Sequence, residues 1–287
     1  MVLEFLRPAG GVLAEAVVLI AMHLFRRRPL PVEIPPEMLA GLKAGILICT
    51  SPRSGSNHLA GLMAAAELGN PLEWFGGRRV LAMPNYPRDP RAQVLRALKD
   101  GRSPSGIYAA KLFASQFVQV AKTVDLPASL PGLHYVRLTR RDLLGQAISW
   151  SRARQTGRFR STEAVQNSPR YDGASIAEAL EKIVLENLSW DIWLAKNGLS
   201  FLSLTYEELL ANPQASLEKV ASLVGAQLTF ESAESAPAPS SGLEIQRDNV
   251  NREWRERFLS QYSDPSKFNL SNHRAFGTLR NLGRRPI

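Results

Sequence analysis

The run AGILICT (44–50) passes directly into SPRSGSN (51–57), and a helix-period apolar pattern continues from Asn57 to Leu68 before Gly69 stops it. This junction constrains the fold more than any other stretch. A strand without polar alternation is buried on both faces, and such strands belong to parallel sheets covered by helices. The loop between strand and helix is built to hold an anion. Gly55 permits a tight turn and close backbone approach. The helix start offers free N–H groups at the positive end of the dipole. Ser54, Ser56 and Asn57 add side-chain donors, and Arg53 adds a planar cation.

The rest of the chain repeats the alternation. GIYAAKLF (106–113), LHYVRLT (133–139) and FLSLTY (201–206) read as strands. Helices are expected over 143–154, 176–196, 217–224 and 251–260, and residues 76–105, rich in Gly, Pro and Arg, read as irregular. The predicted fold is α/β, a parallel central sheet flanked by helices. Ligands in such sheets bind beyond the carboxyl ends of the strands. That gathers the 50–57 loop, the turn after Thr139 and the loop after Leu112 on one rim.

The 287 residues suffice for one large α/β domain, expected over 44–287 after an N-terminal apolar helix and Pro-rich linker (1–43). A net charge of +9 favours an anionic partner. The single cysteine, Cys49, excludes an intramolecular disulfide and a cysteine-based metal site, and suits a reducing, cytoplasmic setting. The segment 12–25 falls short of the roughly 20 apolar residues of a spanning helix and carries Glu15 and His23. With Arg26, Arg27 and Arg28 behind it, residues 12–28 fit a helix packed on the protein or a peripheral membrane contact better than an anchor.

On its own the loop leaves three readings open: an ATP site, another anion site, or an ordinary strand-to-helix turn. A Walker A loop requires Lys and Ser/Thr directly after its second glycine. Here Ser56 and Asn57 follow Gly55, and the first glycine is missing.

CTSPRSGSNHLAGLM resembles the 5′-phosphosulfate loop of sulfotransferases that use 3′-phosphoadenosine 5′-phosphosulfate (PAPS), in particular the bacterial family of trehalose 2-sulfotransferase and its relatives. Asn57 stands where that family usually has Thr. LTRRDLLGQAISWSRARQTGRF (138–159) resembles the family's second signature, which implies a grip on the 3′-phosphate by Arg140, with Arg141 a close second, and Ser149. NPLEWF (70–75) matches a segment that implies Glu73 as the base, with Trp74 and Phe75 as aromatic walls. GIYAAKLF matches another, which offers Tyr108 as a sugar contact and Lys111 as either structural or site-lining. YEELLANP (206–213) reads as scaffold, with Glu207 or Glu208 as a cap. QRDNVNREWRERF (246–258) resembles the element that closes over the nucleotide; Gln246 and Trp254 keep its spacing, Ile245 replaces an Arg, and Arg247 substitutes for it as a phosphate contact.

The resemblance covers about residues 45–260 and implies a P-loop-like sulfotransferase fold with PAPS as cosubstrate and no metal. The implied acceptor is a hydroxyl of a carbohydrate or glycolipid. The rivals are a phosphotransferase using ATP and a basic protein binding nucleic acid or a membrane; the basic charge serves a PAPS site equally well, so no nucleic acid is expected. A homo-oligomer is compatible with the sequence.

Overall fold

The computed structural model describes residues 29–159, 167–228 and 249–264. In chain order the elements are α1 (Pro36–Leu39), β1 (Ala44–Thr50), α2 (Ser56–Ala65), α3 (Arg78–Leu81), α4 (Pro90–Asp100), β2 (Ile107–Phe113), α5 (Ala114–Val120), α6 (Leu126–Ser129), β3 (Leu133–Thr139), α7 (Leu143–Thr156), α8 (Gly173–Lys196), β4 (Phe201–Thr205), α9 (Tyr206–Ala211), α10 (Pro213–Leu223) and α11 (Asn249–Tyr262). The four strands form one parallel sheet in the order β2-β1-β3-β4, with Leu47 opposite both Ala110 and Tyr135.

Every residue of β1 is buried, as its continuous apolar character requires. Its side chains divide between two cores. Leu47 and Cys49 join Leu112, Trp74, Val94, Leu98, Phe117 and Trp190 on one face. Ile46 and Ile48 join Leu59, Met63, Val136, Leu138 and Leu204 on the other. Each large aliphatic buried this way contributes about 1.5–3 kcal/mol. A third cluster ties α7 to α8 and α11 through Ile148, Ile176, Ile183, Trp254 and Phe258.

Residues 76–105 are more ordered than their composition implies. They hold α3 and the eleven-residue α4. Asp89 caps α4 by accepting the Ala92 N–H at 3.0 Å, and Pro90 fits the first turn, where its missing N–H costs nothing. Val94, Ala97 and Leu98 then face the core. Likewise α10 starts at Pro213 under an Asn212 cap, ahead of the expected Leu217.

The proline-rich stretch after residue 28 also lies against the sheet domain. Val32 and Ile34 pack on the core, and the Val32 N–H donates to Ser129 Oγ at 2.8 Å. Residues 29–260 group as one compact unit. The apolar segment at 12–28 lies outside the described residues. Among those described, no helix is long and apolar enough to cross a membrane.

Candidate active site

β1 lies between β2 and β3, so strand order reverses there, and a parallel sheet opens a crevice at that point. The loop leaving β1 is held from three elements. Thr50 Oγ1 donates to the Leu138 carbonyl at 2.9 Å, and Thr50 and Ser54 share a hydroxyl–hydroxyl bond of 2.5 Å. Trp190 Nε1 on α8 donates to the Thr50 carbonyl at 3.0 Å. Gln146 Nε2 on α7 donates to Ser51 Oγ and the Pro52 carbonyl at 3.0 and 2.6 Å.

Gly55 turns the chain into α2 with φ of 87°, and a Cβ there would lie 2.2 Å from the Tyr206 ring. Only glycine meets both conditions. No side chain caps α2, which leaves the N–H groups at its very start as donors for a bound anion. Arg53 sits in the left-handed region at φ of 64°, a conformation costing a non-glycine residue about 1–2 kcal/mol. Its guanidinium donates through Nε to Ser149 Oγ at 3.0 Å and through a terminal nitrogen to the Phe159 carbonyl. The loop cation and the α7 serine are therefore direct neighbours.

The turn after β3 brings a second cation. The Arg140 side chain is nearly buried, its guanidinium carbon 5.0 Å from the centre of the Tyr206 ring, the same ring that covers Gly55. Asp142 caps α7 through the Gly145 N–H at 2.9 Å and pairs with Arg140 at 3.6 Å and with Arg255 of α11. Burial alone would raise the Asp142 carboxyl. The hydrogen bonds from Arg255 and Gly145 and the charges of Arg255 and Arg140 outweigh it and hold the group below its ordinary value. Arg141 points away: it is exposed, and its guanidinium lies 3.5 Å from Glu208.

Glu73 reaches the same crevice because the chain folds back along β2. The Lys111 N–H donates to the Leu72 carbonyl at 3.0 Å, which sets Leu72 beside Ala110. The half-buried Glu73 carboxylate then lies 3.4 Å from Lys111 Nζ and accepts from Gln116 Nε2 at 3.2 Å. The same Lys111 ammonium donates to Asn57 Oδ1 on the first turn of α2. The Glu73 carboxylate, the Lys111 ammonium, the Arg53 and Arg140 guanidinium groups and an open helix start thus share one strand-end rim.

A family model described as Stf0 sulphotransferase matches residues 45–261, about three quarters of the chain. The chain belongs to the Stf0 sulphotransferase family. As a member of that family it is a transferase acting on sulfuryl groups. Among solved structures, it is similar to the sulfotransferase domain from the curacin biosynthetic pathway, at 14% identity and a TM-score of 0.45, covering 83% of this chain and 98% of that one. It is similar to the sulfotransferase domain of the Synechococcus PCC 7002 olefin synthase, at 13% identity and 0.45, covering 92% and 98%. The third is sulfotransferase STF1 from Mycobacterium tuberculosis H37Rv, at 16% identity and 0.46, covering 86% and 84%. No curated protein sequence matches significantly.

Within this Stf0 family member, the expected site residues divide. Arg53, Gly55, Ser56, Asn57, Arg140, Ser149 and Glu73 gather on the rim. Ser54 is there too, but its buried hydroxyl is bound to Thr50, so it offers an anion only its backbone N–H. The three aromatics expected at the site, Trp74, Phe75 and Tyr108, are all buried in one core, Phe75 at 3% exposure. Trp74 is a core residue, 2% exposed, and its indole N–H donates to the Asn70 and Ala109 carbonyls at 3.0 and 3.1 Å. Tyr108 is fully buried, and its hydroxyl donates to the Pro131 carbonyl at 2.8 Å. Burial raises that phenol further. Both rings fill the face of the sheet covered by α4 and α5. Arg247 and Gln246 lie outside the described residues, while Trp254 is buried against Tyr171.

Glu207 and Glu208 do serve as scaffold. Glu208 completes a capping box with Thr205, accepting its N–H at 2.8 Å, and Glu207 accepts the N–H groups of Arg141 and Asp142 at 3.1 and 3.3 Å. The sequence reading missed Tyr206 and Gln116 as site residues. Gln116 sits three residues past the end of β2, where its Oε1 accepts the Phe113 N–H at 3.0 Å, a spacing that flags a capping role and a rim position. Glu186 was also missed. It accepts the Ser115 N–H at 3.2 Å on the same rim, and burial raises its carboxyl despite that bond.

Proposed function

We propose that this Stf0 family member moves the sulfuryl group of PAPS to a hydroxyl of a carbohydrate or glycolipid, with Glu73 as general base. The observation that carries it is the contact sequence Glu73–Lys111–Asn57, which puts a carboxylate one side chain away from an anion loop. The donor's two anionic ends also find partners. The α2 start, Arg53 and Asn57 suit the 5′-phosphosulfate. Arg140 and Ser149 suit the 3′-phosphate, and Arg140 is favoured over Arg141 because its guanidinium turns towards the loop.

In the transfer, Glu73 takes the acceptor hydroxyl's proton as that oxygen bonds to sulfur. Arg53 and the loop N–H groups stabilise the charge that builds on the bridging oxygen as its bond to sulfur breaks. The products are the sulfate ester and adenosine 3′,5′-bisphosphate. Arg53 already meets Ser149, so the loop needs little reorganisation to engage the nucleotide. The acceptor enters from the Glu73 side of the loop. The setting is cytoplasmic, in keeping with a single cysteine.

Calorimetric titration tests the donor. Adenosine 3′,5′-bisphosphate is expected to bind at least about tenfold tighter than ATP, because only it fills both grips, a preference of about 1.4 kcal/mol. Equal or tighter binding of ATP would refute the assignment.

A further inference from the structure

The loop lacks the lysine that a nucleoside-triphosphate loop places after its last glycine, yet an ammonium stands at its first helical turn. Lys111 reaches there from β2, 1% exposed, and donates to Asn57 Oδ1. Glu73 at 3.4 Å balances its charge, and Gln116 Nε2 holds the far carboxylate oxygen at 3.2 Å. Gly77 leaves room for this arrangement, since a Cβ there would lie 2.3 Å from Glu73 Cβ and 3.0 Å from Glu73 Oε2.

We propose that Lys111 is the positioning residue of the anion loop: its ammonium, oriented by Glu73, occupies the Asn57 amide oxygen so that Asn57 offers an anion only N–H donors. An amide carries an acceptor at one end and two donors at the other. Unanchored, Asn57 could turn its oxygen towards a bound phosphate and repel it. With Lys111 on Oδ1, the wrong orientation would set an NH₂ group against an ammonium, which is unfavourable. A threonine at this position would need no such partner, because its hydroxyl rotates to donate. The lysine on β2 and the asparagine on α2 therefore act as one unit, and the candidate base and the anion loop share a single cation.

This rests on the phosphosulfate site proposed above, and the two fail differently. The experiment measures binding of adenosine 3′,5′-bisphosphate and of adenosine 3′-monophosphate, which lacks the group that enters the loop. It uses the full chain and the variants Lys111→Met, Asn57→Thr and the double variant. Lys111→Met is expected to weaken the bisphosphate about tenfold, the value of one charged hydrogen bond, and to leave the monophosphate within about twofold. In the Asn57→Thr background the same lysine change is expected to have almost no effect, since coupled residues are not additive. An unchanged bisphosphate affinity in Lys111→Met, or an equal tenfold loss in both backgrounds, would overturn the pairing. Should Lys111→Met not fold, Lys111→Leu tests the same coupling, with loss expected only when Asn57 is present. If the unaltered chain fails to bind the bisphosphate, the phosphosulfate site itself falls.

Discussion

Replacing Gly55 with alanine tests whether the loop geometry depends on one missing methyl. At φ of 87° an alanine costs about 1–2 kcal/mol from its own Cβ and carbonyl crowding. The added carbon would also lie 2.2 Å from Tyr206 Cδ2 and 2.8 Å from Cε2, so the ring must move. Overpacking of that kind costs about 1–3 kcal/mol. Gly55→Ala should therefore lose about 2–5 kcal/mol in urea unfolding followed by tryptophan fluorescence. The displaced ring carries Arg140 on its face, so adenosine 3′,5′-bisphosphate affinity should fall as well. Tyr206→Ala removes the obstacle. In that background Gly55→Ala should lose only the conformational part, about 1–2 kcal/mol. A loss under about 0.5 kcal/mol in Gly55→Ala, the range of an ordinary surface change, would refute the clash. So would an equal loss in both backgrounds.

Trp74→Ala should cost about 3–5 kcal/mol of stability as a core truncation, while Tyr108→Phe should cost about 1 kcal/mol and leave nucleotide affinity unchanged; calorimetry and unfolding curves check both. Arg140→Ala should weaken adenosine 3′,5′-bisphosphate more than Arg141→Ala does, and titration of the two variants reads the difference directly. Asp142 gives a pH signature. Its folded carboxyl lies below the ordinary 3.8, so its stabilisation is complete above about pH 4 and is lost as pH falls through the folded value. The stability gap between the natural chain and Asp142→Asn should accordingly shrink as pH falls below about 4, and unfolding curves on both sides of that pH measure it.

The sheet was readable because β1 is a continuous apolar run, and both β1 and β3 begin and end where they were expected. The anion loop was readable because Gly55 and Arg53 lie between a strand and a helix. α4 was obscured by the prolines and arginines around it; one of those prolines starts the helix instead of breaking it. Trp74 and Tyr108 were misplaced for a different reason. An aromatic beside a site residue in sequence can point to the opposite side, and in a strand neighbours alternate. Lys111, three positions after Tyr108, faces the rim, whereas Tyr108 fills the core. The Lys111–Asn57 contact spans 54 positions, and no local pattern announces a pairing that only the β1–β2 register creates.

The most direct test of the proposed reaction is mass spectrometry of a panel of sugars and glycolipids incubated with PAPS. At least one should gain a sulfuryl group with the unaltered chain. Glu73→Gln should abolish that product while still binding adenosine 3′,5′-bisphosphate. Full turnover by Glu73→Gln, or phosphorylated products from ATP in place of sulfated ones from PAPS, would contradict the proposed reaction.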